Sequence, residues 1–151
     1  MNQPKVISLP SCAHDSSSPT HQSGQELDHF VVRGGKSFAG THVIVDLIGA
    51  QGLTDQALME TTFLRCIEAC KATLLHMHVH RFLPSGGLSG VAVLAESHIS
   101  VHTWPERDYA AFDVFMCGDA EPEKAVSILK EAFQAEQVNV QTFFRGEGVS
   151  E

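Results

Sequence analysis

The sequence predicts an α+β fold: a two-layer α/β sandwich, with a largely antiparallel sheet and helices packed on one of its faces. Three observations carry this expectation. Strand-like segments outnumber helical ones, and several are joined by short turns. Two longer stretches place apolar residues at helical spacing. The length, 151 residues with 43% apolar content, suits one domain with its own core.

Residues 1–35 are rich in Ser, Pro, His, Gln and Gly and read as a mobile N-terminal tail. His14, His21 and His29 read as solvated there, with Phe30-Val31-Val32 packing locally. Residues 36–151 form the single domain. Gly40–Ile48 is rich in β-branched residues and reads as a first strand. Gly49–Gly52 turns the chain, and Thr54 is placed to cap a helix from Asp55 to Ala72. Met59, Phe63, Cys66, Ile67 and Cys70 share one face of that helix, so both cysteines are expected in or beside the core.

Leu74–Leu83 reads as a second strand, with His76, His78 and His80 alternating onto one face. Three imidazoles on one face suit a metal, but no carboxylate or cysteine at suitable spacing completes a site, and a polar or interface-forming face is the simpler reading. Pro84–Gly87 is a turn, and Ser89–Ala95 a third strand. Ser97–Thr103 continues that strand or pairs with it. After a turn at Pro105–Asp108, Tyr109–Cys117 is a further strand. A helix over Pro122–Gln134 buries Val126, Leu129 and Phe133, and Val138–Phe144 is the last strand. A sheet covered on one face leaves the other to be polar or to be covered by a partner.

Composition narrows the function. Net charge is −8 with ten Lys and Arg, which argues against a nucleic-acid partner. No apolar run approaches the roughly 20 residues that span a bilayer, so no membrane partner is expected. The N-terminus shows no secretory signal, and Cys12, Cys66, Cys70 and Cys117 fit neither a disulfide framework nor a paired Cys-x-x-Cys zinc site. A cytoplasmic protein with reduced thiols and no bound metal is the expectation.

The chemistry gathers in Glu96-Ser97-His98-Ile99-Ser100-Val101-His102-Thr103-Trp104-Pro105-Glu106. A serine hydroxyl in a strained turn can attack the preceding carbonyl and turn the amide into an ester. Loss of the α-proton then expels the ester oxygen, and hydrolysis of the resulting dehydroalanine leaves a pyruvoyl group. This requires a base and an oxyanion donor, for which His102 and Ser89 are candidates. A pyruvoyl carbonyl forms a Schiff base with a substrate amine and acts as an electron sink when carbon dioxide leaves. Cys117 could bring a thiol back to protonate the carbanion. Glu-Ser dipeptides are common, and a histidine on a strand is usually structural, so composition alone does not decide.

That stretch, with Tyr109-Ala110-Ala111 and Phe115-Met116-Cys117-Gly118, resembles the prokaryotic, pyruvoyl-dependent S-adenosylmethionine decarboxylase proenzyme family. Gly40-Thr41-His42, His80-Arg81-Phe82-Leu83-Pro84 and Leu88-Ser89-Gly90 extend the resemblance over roughly residues 38–145. It implies self-cleavage between Glu96 and Ser97 into a β chain, 1–96, and an α chain, 97–151, that bears the pyruvoyl cofactor made from Ser97. It implies that His102 and, with it, Ser89 serve processing, and that Cys117 donates the proton in decarboxylation. Phe82 would stack on the adenine, and Glu106 would meet the ribose hydroxyls. The implied activity is decarboxylation of S-adenosylmethionine, a small-molecule substrate, for spermidine and polyamine biosynthesis. The implied assembly is a homodimer with its active sites at the interface.

Three departures accompany the match. Pro84–Ser89 carries an apparent one-residue insertion, Arg107-Asp108 replaces the common Tyr-Gly, and Met116 stands where threonine is common. Asp108 is therefore a further candidate substrate-binding residue, since it could pair with a distal cation. A pyruvoyl-dependent ornithine or arginine decarboxylase is the alternative, and an uncleaved metal-binding module using His76, His78 and His80 a remote one.

Overall fold

A computed structural model of the chain describes residues 30–149. It begins with a small hairpin of β1 (Val31–Arg33) and β2 (Lys36–Phe38). Residues 31–35, expected in the tail, belong to this hairpin. Gly34 and Gly35, both at positive φ, make the tight turn, and Phe38 is buried with its ring 4.4 Å from that of Phe144. The histidines expected to be solvated at His14, His21 and His29 lie outside the described residues.

The expected α+β sandwich follows. Strands β3 (Gly40–Ile48), β4 (Leu74–Arg81), β5 (Leu88–Leu94), β6 (Ser97–Trp104), β7 (Tyr109–Cys117) and β8 (Gln137–Arg145) form one sheet in the order β4-β5-β6-β7-β3-β8. Every neighbouring pair is antiparallel. Period-two alternation makes the sheet one-sided. Val43, Val45 and Leu47 of β3, Ile99 and Val101 of β6, and Phe112, Val114 and Met116 of β7 are buried on one face. Helices α1 (Gln56–Ala69) and α2 (Lys124–Ala132) complete that core with Met59, Phe63, Cys66, Ile67 and Leu129. None of the described helices is long and apolar enough to cross a membrane.

Several boundaries move for local reasons. Asp55, not Thr54, caps α1, its carboxylate accepting from Leu58 N–H at 3.0 Å. The helix stops before Ala72 because Lys71 turns left-handed at φ 61, with Lys71 N–H bonded to Glu68 C=O and Ala72 N–H to Ile67 C=O. That is a Schellman closure. α2 ends the same way at Gln134, φ 48, with Ala135 N–H on Lys130 C=O. Pro122 falls in the turn before α2, whose bonds run three residues apart, as from Ala125 N–H to Pro122 C=O. Ser97–Trp104 does not continue β5 but folds back to pair with it, through a turn at Ala95-Glu96.

Cys66 and Cys70 are buried as expected, and desolvation pushes their thiols up to about 12 and about 11. Both are inert at neutral pH. Thr103 is buried yet satisfied: its hydroxyl accepts from Leu88 N–H at 2.7 Å and donates to Leu53 C=O at 2.9 Å.

Candidate active site

The sheet face away from the helices carries the chemistry. From β4 to β8 it presents His76, His78 and His80, Ser89, Val91 and Val93, His98, Ser100, His102 and Trp104, Tyr109, Asp113, Phe115 and Cys117, His42 and Asp46, and Phe143 and Arg145. Trp104 and Phe143 are 41% and 45% exposed, so this face is apolar in part as well as polar.

The predicted residues fall into two groups. The first stands at the tip of the β5–β6 hairpin. Glu96 occupies the left-handed region at φ 60, which costs a non-glycine residue about 1–2 kcal/mol. Ser97 follows, and its Oγ accepts from Cys117 N–H at 3.2 Å. Cys117 ends β7, opposite Gly40 of β3. A Cβ at Gly40 would lie 2.7 Å from Met116 C=O and 2.8 Å from the Phe115 ring, so only glycine lets β3 pass this close to that end of β7. Burial, with the Glu96 charge beside it, raises the Cys117 thiol above its ordinary value of 9.0. It is a protonated thiol at neutral pH.

The second group stands at the other end of β6. Ser89 Oγ and His102 Nδ1 are 3.2 Å apart across the paired strands. They line a hollow of about 310 Å³ with His78, His80, Phe82, Gly90, Val91 and Ser100. Phe82 stands edge-on to His80, ring centres 4.6 Å apart. Glu106 belongs to the 3₁₀ turn Pro105–Arg107, directly after β6. His102 lies five steps along β6 from Ser97, about 16 Å at the rise of a strand. Within one chain the structure thus joins Ser97 to Cys117 and Ser89 to His102, but not the two pairs to each other.

Asp108 lines a different hollow from Phe82. It takes φ 49, its N–H bonds to Pro105 C=O at 3.2 Å, and its own C=O accepts from Ala50 N–H at 2.9 Å. It lines a separate hollow of about 290 Å³ with Ala50–Thr54 and Pro105.

Two side-chain arrays were not singled out from the sequence. Arg145 lies 3.2 Å from His42 Nδ1, and His42 Nε2 lies 3.1 Å from Asp113 Oδ1. Arginine can only donate, so Nδ1 accepts, and the proton sits on Nε2, donating to Asp113. Beside them, burial and then the neighbouring His42 lower the His98 imidazole below its usual 6.5, against the pull of Asp113. In the other array, Tyr109 donates to Asp46 at 2.6 Å, a bond that pushes the phenol up to about 12. The Tyr109 ring stacks on Trp104 at 5.2 Å, and Trp104 lies 6.2 Å from His102. Alternation predicted which side chains share a face, but the register that makes them neighbours depends on non-local pairing.

The family model for S-adenosylmethionine decarboxylase matches residues 41–146. The S-adenosylmethionine decarboxylase proenzyme of Thermomicrobium roseum is 43% identical over 108 residues, 71% of this chain and 93% of that protein. Its counterpart in Methanococcus maripaludis is 44% identical over 110 residues, covering 71% and 89%. The crystal structure of the adenosylmethionine decarboxylase from Aquifex aeolicus is similar over 76% of this chain and 98% of that one, with a TM-score of 0.63 at 28% identity.

Proposed function

The chain belongs to the S-adenosylmethionine decarboxylase family, and we propose that it matures by cutting itself between Glu96 and Ser97 and then works through the pyruvoyl group that Ser97 becomes. It is a carboxy-lyase that acts on S-adenosylmethionine for polyamine synthesis. The observation that carries the cleavage reading is the hairpin tip itself: a glutamate held left-handed, followed by a serine whose hydroxyl rests on the Cys117 amide. Ser97 fits the precursor of the group, since the preceding peptide bond is in a strained turn and a proton source stands alongside.

The pyruvoyl carbonyl supplies an electron sink for the bond to the departing carbon dioxide. The chain's own residues do the rest. Cys117 keeps its proton at neutral pH, because burial disfavours the thiolate, and delivers it to the α-carbon of the substrate. Phe82 offers an aromatic face to the flat adenine beside the hollow, and Glu106 offers a carboxylate to the ribose hydroxyls. His102, with Ser89 on its Nδ1, handles protons during processing.

These roles need both groups in one place, and about 16 Å of strand separates them. A second copy supplies the missing half. In an isologous pair the same face meets itself, so the His102 end of one β6 can approach the Ser97 end of the other. The part-apolar, helix-free face is the surface such a pair would bury. The functional unit is thus a homodimer of cleaved protomers, each site built from both.

On a denaturing gel the native chain should resolve into two fragments, 1–96 and 97–151. Ser97→Ala should leave one full-length band and no decarboxylation. A native chain that stays whole after prolonged incubation would sink the cleavage reading.

A further inference from the structure

Cys117 meets Ser97 through its backbone N–H, beside the peptide bond proposed above to be cut. β6 and β7 pair in unbroken register from Trp104↔Tyr109 to His98↔Phe115. Two residues further, the same register would set Cys117 opposite Glu96. The ladder stops short because Ala95 and Glu96 form the turn from β5, with Glu96 at φ 60. Phe115 and Cys117 stand two apart on β7, so their N–H groups point to the same side, toward β6. The Cys117 N–H has thus lost its ladder partner, and it donates to Ser97 Oγ at 3.2 Å.

We infer that the Cys117 backbone N–H is a catalytic group of self-cleavage, stabilising the negative charge that grows on the Ser97 oxygen as that oxygen leaves the β-carbon. The inference rests on the cleavage proposed above and assigns one of its steps. First, Ser97 Oγ adds to the Glu96 carbonyl carbon, the Glu96–Ser97 C–N bond breaks, and the hydroxyl proton passes to the released nitrogen. Oγ is now a neutral ester oxygen. Next, a base takes the Ser97 α-proton, and the C–H electron pair becomes the Cα=Cβ bond. The Cβ–Oγ bond breaks, and its electron pair stays on Oγ, which departs as part of the new Glu96 carboxylate. Water then hydrolyses the dehydroalanine, releasing ammonia.

Charge develops on Oγ in the second step. A donor already at hydrogen-bond distance then becomes charge-assisted, without any rearrangement. A backbone amide suits this task better than the thiol of the same residue. A thiol is a weak donor, whereas the amide is a strong one, fixed in direction by β7 and by the close passage of Gly40.

Replacing the Met116–Cys117 amide by an ester tests this directly. Residue 117 is introduced by chemical ligation as 2-hydroxy-3-mercaptopropanoic acid, so the thiol stays and only the N–H is lost. Against the all-amide chain made in the same way, the ester-linked chain should cleave at least tenfold more slowly. It should also accumulate an intermediate that hydroxylamine cuts after Glu96, because ester formation persists while elimination stalls. Equal cleavage rates, or slowing without that intermediate, would overturn the assignment. An all-amide chain that folds but never cleaves would overturn the underlying cleavage reading instead, and this inference with it. Amide exchange gives a second readout that needs no cleavage. In full-length His102→Ala chains, adding Ser97→Ala should speed exchange at Cys117 N–H tenfold or more. Unchanged exchange would refute the bond on which the inference stands.

Discussion

Cys117 offers two hydrogens, one on its thiol and one on its backbone amide, and the roles proposed for them can be separated by experiment. Its thiol is raised by burial first and by Glu96 second, so it holds its proton across neutral pH. Cys117→Ala should lower turnover by about a hundredfold or more, the scale of a lost general acid, while cleavage is affected less. In the native enzyme the alkaline loss of turnover should fall above pH 9.0, as the thiol deprotonates late. A limb well below that value would mean that another group limits the rate. His98 shifts the opposite way. Its folded value lies below the usual 6.5, so the unfolded chain binds the extra proton first, and stability falls as pH drops through 6.5 toward the folded value. Thermal unfolding followed between pH 7.5 and 5.5 should show a decline that His98→Asn flattens. An identical decline in both proteins would dismiss His98 as its source.

At the scale of elements, both helices end in Schellman turns on residues other than glycine, Lys71 and Gln134. Gln134 is the cleaner test, because Lys71 also pairs with Glu121 at 2.9 Å. Gln134→Gly should raise stability by roughly 0.5–1 kcal/mol, as relief of left-handed strain outweighs the entropy cost of glycine. Urea unfolding would read this as a higher midpoint at unchanged slope. These same ends explain which boundaries were legible in the sequence. β3 and β7 were read to the residue, because alternation and β-branching are local signals. The helix limits were not. Asp55 and Thr54 are both good caps, and Lys71 and Gln134 carry no chemical mark of a left-handed turn. The Ala95-Glu96 turn was similarly hidden, as neither residue advertises a hairpin, although the candidate residues around it were plain.

At the scale of the whole molecule, the one-sided sheet leaves a face for a second copy, and the shared site proposed above makes that copy part of the chemistry. Co-expression offers the test. Chains carrying Ser97→Ala lack the scissile serine but keep His102, and chains carrying His102→Ala have the reverse. Neither should cleave alone. Together they should yield cut His102→Ala chains, because each mixed pair holds one complete site. If the mixture stays as intact as its parts, each chain processes itself and the shared site is wrong. Sequence pattern foresaw an uncovered face. It did not foresee that the predicted residues would divide between the two ends of β6, because side chains five apart are close in the text and far apart on an extended strand.

That division along β6 has a consequence for how the enzyme comes into being. If each cut borrows groups from a second molecule, maturation is a bimolecular event, and its rate depends on how much precursor is present. A newly made chain, diluted and alone, would then stay inert, with Ser97 parked against a backbone amide. Encounter then acts as the trigger. At dilutions below the pairing constant, the half-time of cleavage should lengthen as precursor is removed. Above that constant it should become independent of concentration, so the cell would hold no free electrophile on an unpaired chain.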